Sequence, residues 1–78
     1  MTVNWHTYIV SDPTILLGKP VVKGTRISVE LVIERLSHGE TFDQIMESYP
    51  NLSRESILAC LSYASASLKS EVEYPLFS

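Results

Sequence analysis

A single cysteine, Cys60, stands in the 78-residue chain, so no internal disulfide can form. Apolar runs such as Ile15–Leu17 and Leu31–Ile33 are short, and no segment is long enough to span a membrane. The first ten residues lack the basic start and continuous apolar run of a secretory leader. Together these absences predict a cytoplasmic, reducing compartment. Positive charge is also scarce: six Lys plus Arg stand against nine Asp plus Glu, a net charge of −3. That balance argues against strong non-specific binding to nucleic acid, though not against a local basic patch. His6, His38 and Cys60 are too scattered for metal spacing, so the sequence predicts no metal, no cofactor and no enzyme.

What is present is a globular composition, 45% hydrophobic and 19% charged. Residues 1–78 read as one domain. A domain of this size buries only about 60% of its unfolded surface. Its core supplies no more than about 3–5 kcal/mol, so a partner subunit would help it.

The spacing predicts short strands within residues 8–27, helices over 28–38, 42–49 and 54–70, and a tail over 71–78. Tyr8 to Val10 reads as a strand stopped by Ser11-Asp12-Pro13. Pro20 to Ile27 reads as a hairpin with a two-residue turn at Lys23-Gly24, pairing Val22 with Thr25 and Val21 with Arg26, with Ile27 inward and Arg26 outward. Ser28 is placed to cap helix one, and Ile27 and Val32 to staple it. Val29, Val32, Ile33 and Leu36 form its apolar stripe, and Gly39 ends it. Thr41 and Gln44 fit a capping box that opens helix two. Ser53 caps helix three, whose apolar stripe reads Ile57, Leu58, Leu61, Ala64 and Leu68.

A short helix, a turn of four to five residues and a longer capped helix have the spacing of a helix-turn-helix unit on a three-helix scaffold. The start of the last helix would then meet DNA, exposing Arg54, Glu55, Ser56, Ala59 and Ser62. Arg54 could fork onto a guanine and Ser56 could hold a phosphate. The competing reading is a helical hairpin that serves only as core. Glu55 beside Arg54 makes this surface a poor reader of DNA.

The segment Gly18–Ser28, GKPVVKGTRIS, holds half of the chain's strong cations in eleven residues. A phosphate loop is excluded, because Pro20 follows Gly18-Lys19 and the glycine spacing is wrong. Two readings remain. In one, the hairpin is structural and Arg26 bridges to Glu30 or Glu34. In the other, Lys19, Lys23 and Arg26 contact phosphates.

The motifs Asp12-Pro13, Gly18-Lys19-Pro20, Gly24-Thr25-Arg26-Ile27, Val29, Gly39 and Tyr49-Pro50-Asn51-Leu52 carry a resemblance. From about Ile9 to Ala64 the chain resembles the small bacterial and archaeal family known as domain of unknown function 433. Where that family commonly has Gly-Gly-Lys-Pro, this chain has Leu17 before Gly18, so an ordinary backbone is expected at residue 17. The resemblance implies a mainly α, homeodomain-like three-helix fold with short N-terminal strands. It also implies an antitoxin of a type II toxin–antitoxin pair, which masks a PIN-like nuclease toxin and represses its own operon by binding operator DNA. The alternative is a protein-interaction module without DNA binding. Under the antitoxin reading, Glu71, Glu73, Tyr74, Leu76 and Phe77 in the tail are candidates to dock on the toxin, acids flanked by aromatic anchors. A homodimer is also expected, because Ala64, Ser65, Ala66 and Ser67 permit close helix contact.

Overall fold

The computed structural model describes residues 4–71; the side chains of Ser70 and Glu71 fall outside that description. Two strands, β1 (Ile9–Ser11) and β2 (Pro20–Val22), precede three helices, α1 (Val29–Ser37), α2 (Phe42–Ser48) and α3 (Arg54–Glu71). The fold is thus mainly helical behind a short N-terminal strand pair, as expected. Two 3-10 turns, Trp5–Thr7 and Leu16–Gly18, flank β1 on either side in sequence.

β1 and β2 run antiparallel, with Ile9 opposite Val22 and Val10 opposite Val21. On its other side Val21 bridges to Ser28. The hairpin expected beyond β2 therefore exists, but its register is corrected. Val22 N–H donates to the carbonyl of Ile27 at 2.9 Å, not to Thr25, and the loop is the four residues Lys23 to Arg26. The Thr25 side chain explains the longer loop. Its hydroxyl donates to Val22 O at 2.8 Å and accepts from Ile27 N–H at 2.9 Å. The expected turn bond is present too, since Thr25 N–H donates to Val22 O at 2.9 Å, so the Lys23-Gly24 turn forms inside the wider loop and the hydroxyl bonds hold Thr25 to Ile27 around it. Gly24 still supplies the positive φ, at 81°. Ile27 turns inward and Arg26 outward, as the alternation requires.

Each helix starts at a side-chain cap. Ser28 Oγ accepts from Leu31 N–H at 3.0 Å. Thr41 and Gln44 close the reciprocal box, with bonds of 3.1 and 2.8 Å. At α3 two serines form the same device. Ser53 Oγ accepts from Ser56 N–H at 3.1 Å, while Ser56 Oγ accepts from Ser53 N–H at 2.8 Å. Ser56 Oγ also donates to Ser53 O at 2.8 Å. A cap of this kind is typically worth about 1 kcal/mol.

The core gathers Ile9 and Val22 from the strands, Val29 and Val32 from α1, Ile45 from α2, Leu52 from the turn, and Ile57, Ala59 and Cys60 from α3. Ile27, the residue before the Ser28 cap, packs against this cluster, which also holds Val32, and Leu52 and Ile57 on either side of Ser53 both belong to it. The expected stripe of α3 is corrected. Its buried face is Ser56, Ile57, Ala59 and Cys60, with Tyr63 half-buried, whereas Leu61 and Leu68 are 40% and 62% exposed. The helix is turned so that small residues meet the rest of the protein. Close approach of the N-terminal segment explains this, since Trp5 meets Tyr63 edge-on at 4.8 Å between ring centroids. Small side chains on α3 leave room for that packing.

Candidate interaction surface

The five residues expected to contact DNA do not form one free surface. Lys19 is exposed but ion-paired, with Nζ 3.1 Å from Glu30 Oε1 on α1. That pair replaces the expected Arg26 bridge to Glu30. Arg54 faces back onto α2: its guanidinium lies 3.7 Å from Asp43 and 5.0 Å from the centroid of the Phe42 ring. The contact clasps the starts of α2 and α3 together and competes with any base for the same guanidinium. Ser56, expected on the outer face, is only 3% exposed, and its hydroxyl is used in the cap of α3. A phosphate cannot reach it, which corrects the expectation. Ala59 is likewise buried. Lys23 and Arg26 remain: both are exposed on the hairpin loop, and neither is in an ion pair among the described residues.

Of the expected toxin-docking residues, Glu73, Tyr74, Leu76, Phe77 and the side chain of Glu71 lie outside the described residues.

A surface that sequence periodicity missed lies between α1 and α3. There a groove of about 700 Å³ has an apolar floor of Val29, Ile33, Tyr63, Ala64 and Leu68. Lys19, Glu30 and Glu34 add charge to its walls. Beside it a shallower depression of about 490 Å³ is bounded by Ile33, Leu61, Ala64, Ser65, Leu68 and Lys69. The signal was present in the sequence, since Leu61 and Leu68 repeat at helical spacing. It was assigned to the core because hydrophobicity alone does not say which face of a helix is covered.

Two further groups, neither of which lines the groove, have shifted acidities. Arg35 donates to Glu40 Oε2 at 3.1 Å and to Tyr49 Oη at 3.0 Å, joining α1 to the turn before α2 and to the residue that ends α2. The Glu40 hydrogen bond, reinforced by its charge, raises the Arg35 pKa further. Burial pushes the Cys60 thiol from 9.0 up to about 11. Cys60 is thus a packing residue and a poor nucleophile at neutral pH. Among the described residues, no helix is long and apolar enough to cross a membrane.

The comparisons with known proteins agree with this architecture. A crystal structure of a DUF433 member protein from Anabaena variabilis ATCC 29413 superposes with a TM-score of 0.73 at 22% sequence identity. The match covers 80% of this chain and 61% of that one, and it speaks for the fold. The uncharacterized protein y4eO of Sinorhizobium fredii (strain NBRC 101917 / NGR234) is 38% identical over 58 residues, 74% of this chain. The chain spans 26% of that relative's length. The family described as "Protein of unknown function (DUF433)" matches residues 9–64. Most of the chain is covered by that match, and the chain belongs to this family.

Proposed function

We propose that this protein is a cytoplasmic, non-catalytic binding protein of the antitoxin type, whose partner is a PIN-like nuclease toxin. The observation that carries the reading is the groove between α1 and α3. Its floor is apolar and two acids, Glu30 and Glu34, stand on its α1 wall; Lys19 beside them pairs with Glu30, which leaves Glu34 as the unpaired carboxylate of that wall among the described residues. Such a surface suits a partner whose own surface is basic, as a nuclease that handles phosphates requires. The tail residues Glu71, Glu73, Tyr74, Leu76 and Phe77 extend the same chemistry, acids beside aromatic anchors. The test is co-expression with the product of the neighbouring reading frame, followed by affinity co-purification. The pair should co-purify, and Glu30→Lys with Glu34→Lys should reduce recovery at least about tenfold, a loss of about 1.4 kcal/mol. Full recovery of the partner by the double variant defeats the reading.

A second reading, autorepression through operator DNA, rests on Lys23 and Arg26. Both point to solvent and are unpaired among the described residues. Arg54 and Lys19 support it less, since each already has an acid beside it. In a gel-shift titration against the upstream DNA, Lys23→Ala with Arg26→Ala should flatten the salt dependence by about two phosphate contacts. An unchanged slope removes these residues from the interface.

A further inference from the structure

We propose that the residues following α3 fold back over the α1/α3 groove in the free chain, so that Val72, Tyr74 and Leu76 cover its floor and a partner must displace them to enter. The covering concerns the free chain alone; only the displacement rests on the partner reading above.

Residues 72–78 lie outside the described residues. Their point of departure is fixed, because α3 runs to Glu71. Leu68, within the last turn of that helix, already lines the groove. Leu68 is 62% exposed, so the floor is uncovered at the end of α3 from which the tail departs. Ala64 lies seven residues before Glu71, about 10 Å back along the helix. From Glu71 to Leu76 the chain advances five residues, which span up to about 17 Å when extended. The tail is therefore long enough to reverse and lie over Leu68 and Ala64.

The order of residues in the tail fits that path. Pro75 has no N–H to extend a helical ladder, and it biases Tyr74 toward extended backbone. Along an extended chain alternate side chains face one side. Val72, Tyr74 and Leu76 then form one apolar edge, and Glu73 falls on the opposite edge. The apolar edge matches the apolar floor, and Glu73 is kept away from Glu30 and Glu34 on the α1 wall. A groove of about 700 Å³ is in the range that takes a drug-sized ligand, and so admits three side chains. Lys69, four residues before Glu73, is exposed beside the adjoining depression and pairs with no acid among the described residues. The end of α3 thus offers Glu73 a cation, while the α1 wall offers it only acids and a lysine already paired with Glu30.

The tether selects the tail as occupant and sets the strength. A short tether holds its end at an effective concentration on the order of 1 mM. A contact with a dissociation constant as weak as about 0.1 mM then keeps the groove covered in roughly nine chains of ten. A second copy or a foreign segment of equal affinity would match it only near roughly 1 mM. A partner entering a groove so covered binds roughly tenfold more weakly than it would bind an open one. The tail therefore hides apolar surface in the free chain, and displacing it frees Glu73, Tyr74 and Leu76 to meet the partner.

The experiment is nuclear magnetic resonance of the full chain alone, with neither partner nor DNA present. Nuclear Overhauser contacts should join Tyr74 or Leu76 to Ile33 or Ala64 on the floor, and they should persist on dilution. In a mixture of isotope-labelled and unlabelled chains, filtered spectra should show none of these contacts between copies. A dye provides the second arm. Tyr74→Ser with Leu76→Ser should uncover the floor and raise the fluorescence of an added anilinonaphthalene sulfonate severalfold, while helical circular dichroism stays unchanged. Absence of contacts between tail and floor overturns the proposal. Contacts found only between copies overturn it as well, and assign the groove to a second chain. Unchanged dye fluorescence in the folded double variant does the same. A partner that fails to co-purify alters none of these results, so the two readings fail separately.

Discussion

Leu17 lies at φ 58°, ψ 32°, in the left-handed region, and its side chain is 95% exposed. Sequence reasoning expected ordinary backbone there because leucine replaces the family's glycine; the structure keeps the unusual conformation in spite of it. Its neighbours hold it. Gly18 N–H donates to Ile15 O at 3.0 Å and Lys19 N–H to Leu16 O at 3.2 Å, closing the 3-10 turn that leads into β2. A β-carbon in this region costs roughly 1–2 kcal/mol. Replacement by glycine recovers that cost but loses roughly 0.5–1 kcal/mol to the greater freedom of the unfolded chain. Because the side chain is almost fully solvated, no packing is lost. Leu17→Gly should therefore stabilise the protein by about 0.5–1 kcal/mol, raising Tm by about 4 °C for a domain of this size. Thermal and urea unfolding followed by circular dichroism give the number. Leu17→Ala is the control, since it removes the exposed leucine but keeps a β-carbon. A neutral or destabilising Leu17→Gly, or an equal gain from Leu17→Ala, refutes the backbone argument.

Cys60 should resist alkylation in the native protein at pH 8 and react once urea unfolds it. Since its folded pKa of about 11 is raised above the ordinary 9.0, its contribution to stability is complete below pH 9. That contribution is lost as pH rises through 11, by about 2–3 kcal/mol relative to Cys60→Ala, and parallel curves for the two proteins would contradict it. Ser56→Ala should cost about 1 kcal/mol by opening the cap of α3, read as a lower urea midpoint. If Ser56 instead served DNA, stability would hold and gel-shift affinity would fall. Arg35→Ala should cost about 1–2 kcal/mol, because it loses Glu40, the Tyr49 hydroxyl and the face of the Tyr49 ring together. Tyr49→Phe should cost less than that, and a larger loss would mean that the ring itself is displaced.

Local chemistry was legible in the sequence and packing was less so. Ser28, Thr41 with Gln44, and Ser53 announce helix starts because a cap needs only the residue and its next turn. The Asp12-Pro13 turn was legible for the same reason, and Thr14 N–H and hydroxyl both bind the Asp12 carboxylate, at 2.9 and 2.7 Å. The backbone bond, foremost, and then the hydroxyl lower the Asp12 pKa. The Lys23-Gly24 turn was legible, and Thr25 N–H does donate to Val22 O, but the register beyond it was not, because the Thr25 hydroxyl binds both Val22 O and Ile27 N–H and shifts the return strand so that Val22 pairs with Ile27. The face of α3 was misread for a physical reason. Ala59, Cys60 and Ser56 are small and score weakly as apolar, yet they are what another segment can approach closely. Leu61 and Leu68 score strongly, and their exposure follows from where the neighbouring elements stop. At the candidate site, charge was legible as a count of cations but not as free cations. Lys19 and Arg54 find Glu30 and Asp43 only once α1 and α2 are in place.

The small sheet carries one more implication. β2 is flanked on both sides, by β1 and by the bridge at Ser28, so its backbone offers nothing to another chain. β1 is the outer strand and is three residues long. Tyr8 before it accepts from Lys23 N–H at 2.7 Å, which carries the pairing with the β2 side one residue beyond the strand. An edge that short is a poor template for strand addition. The protein can therefore present an apolar helical surface at high local concentration with little risk of fibrillar assembly through its strands.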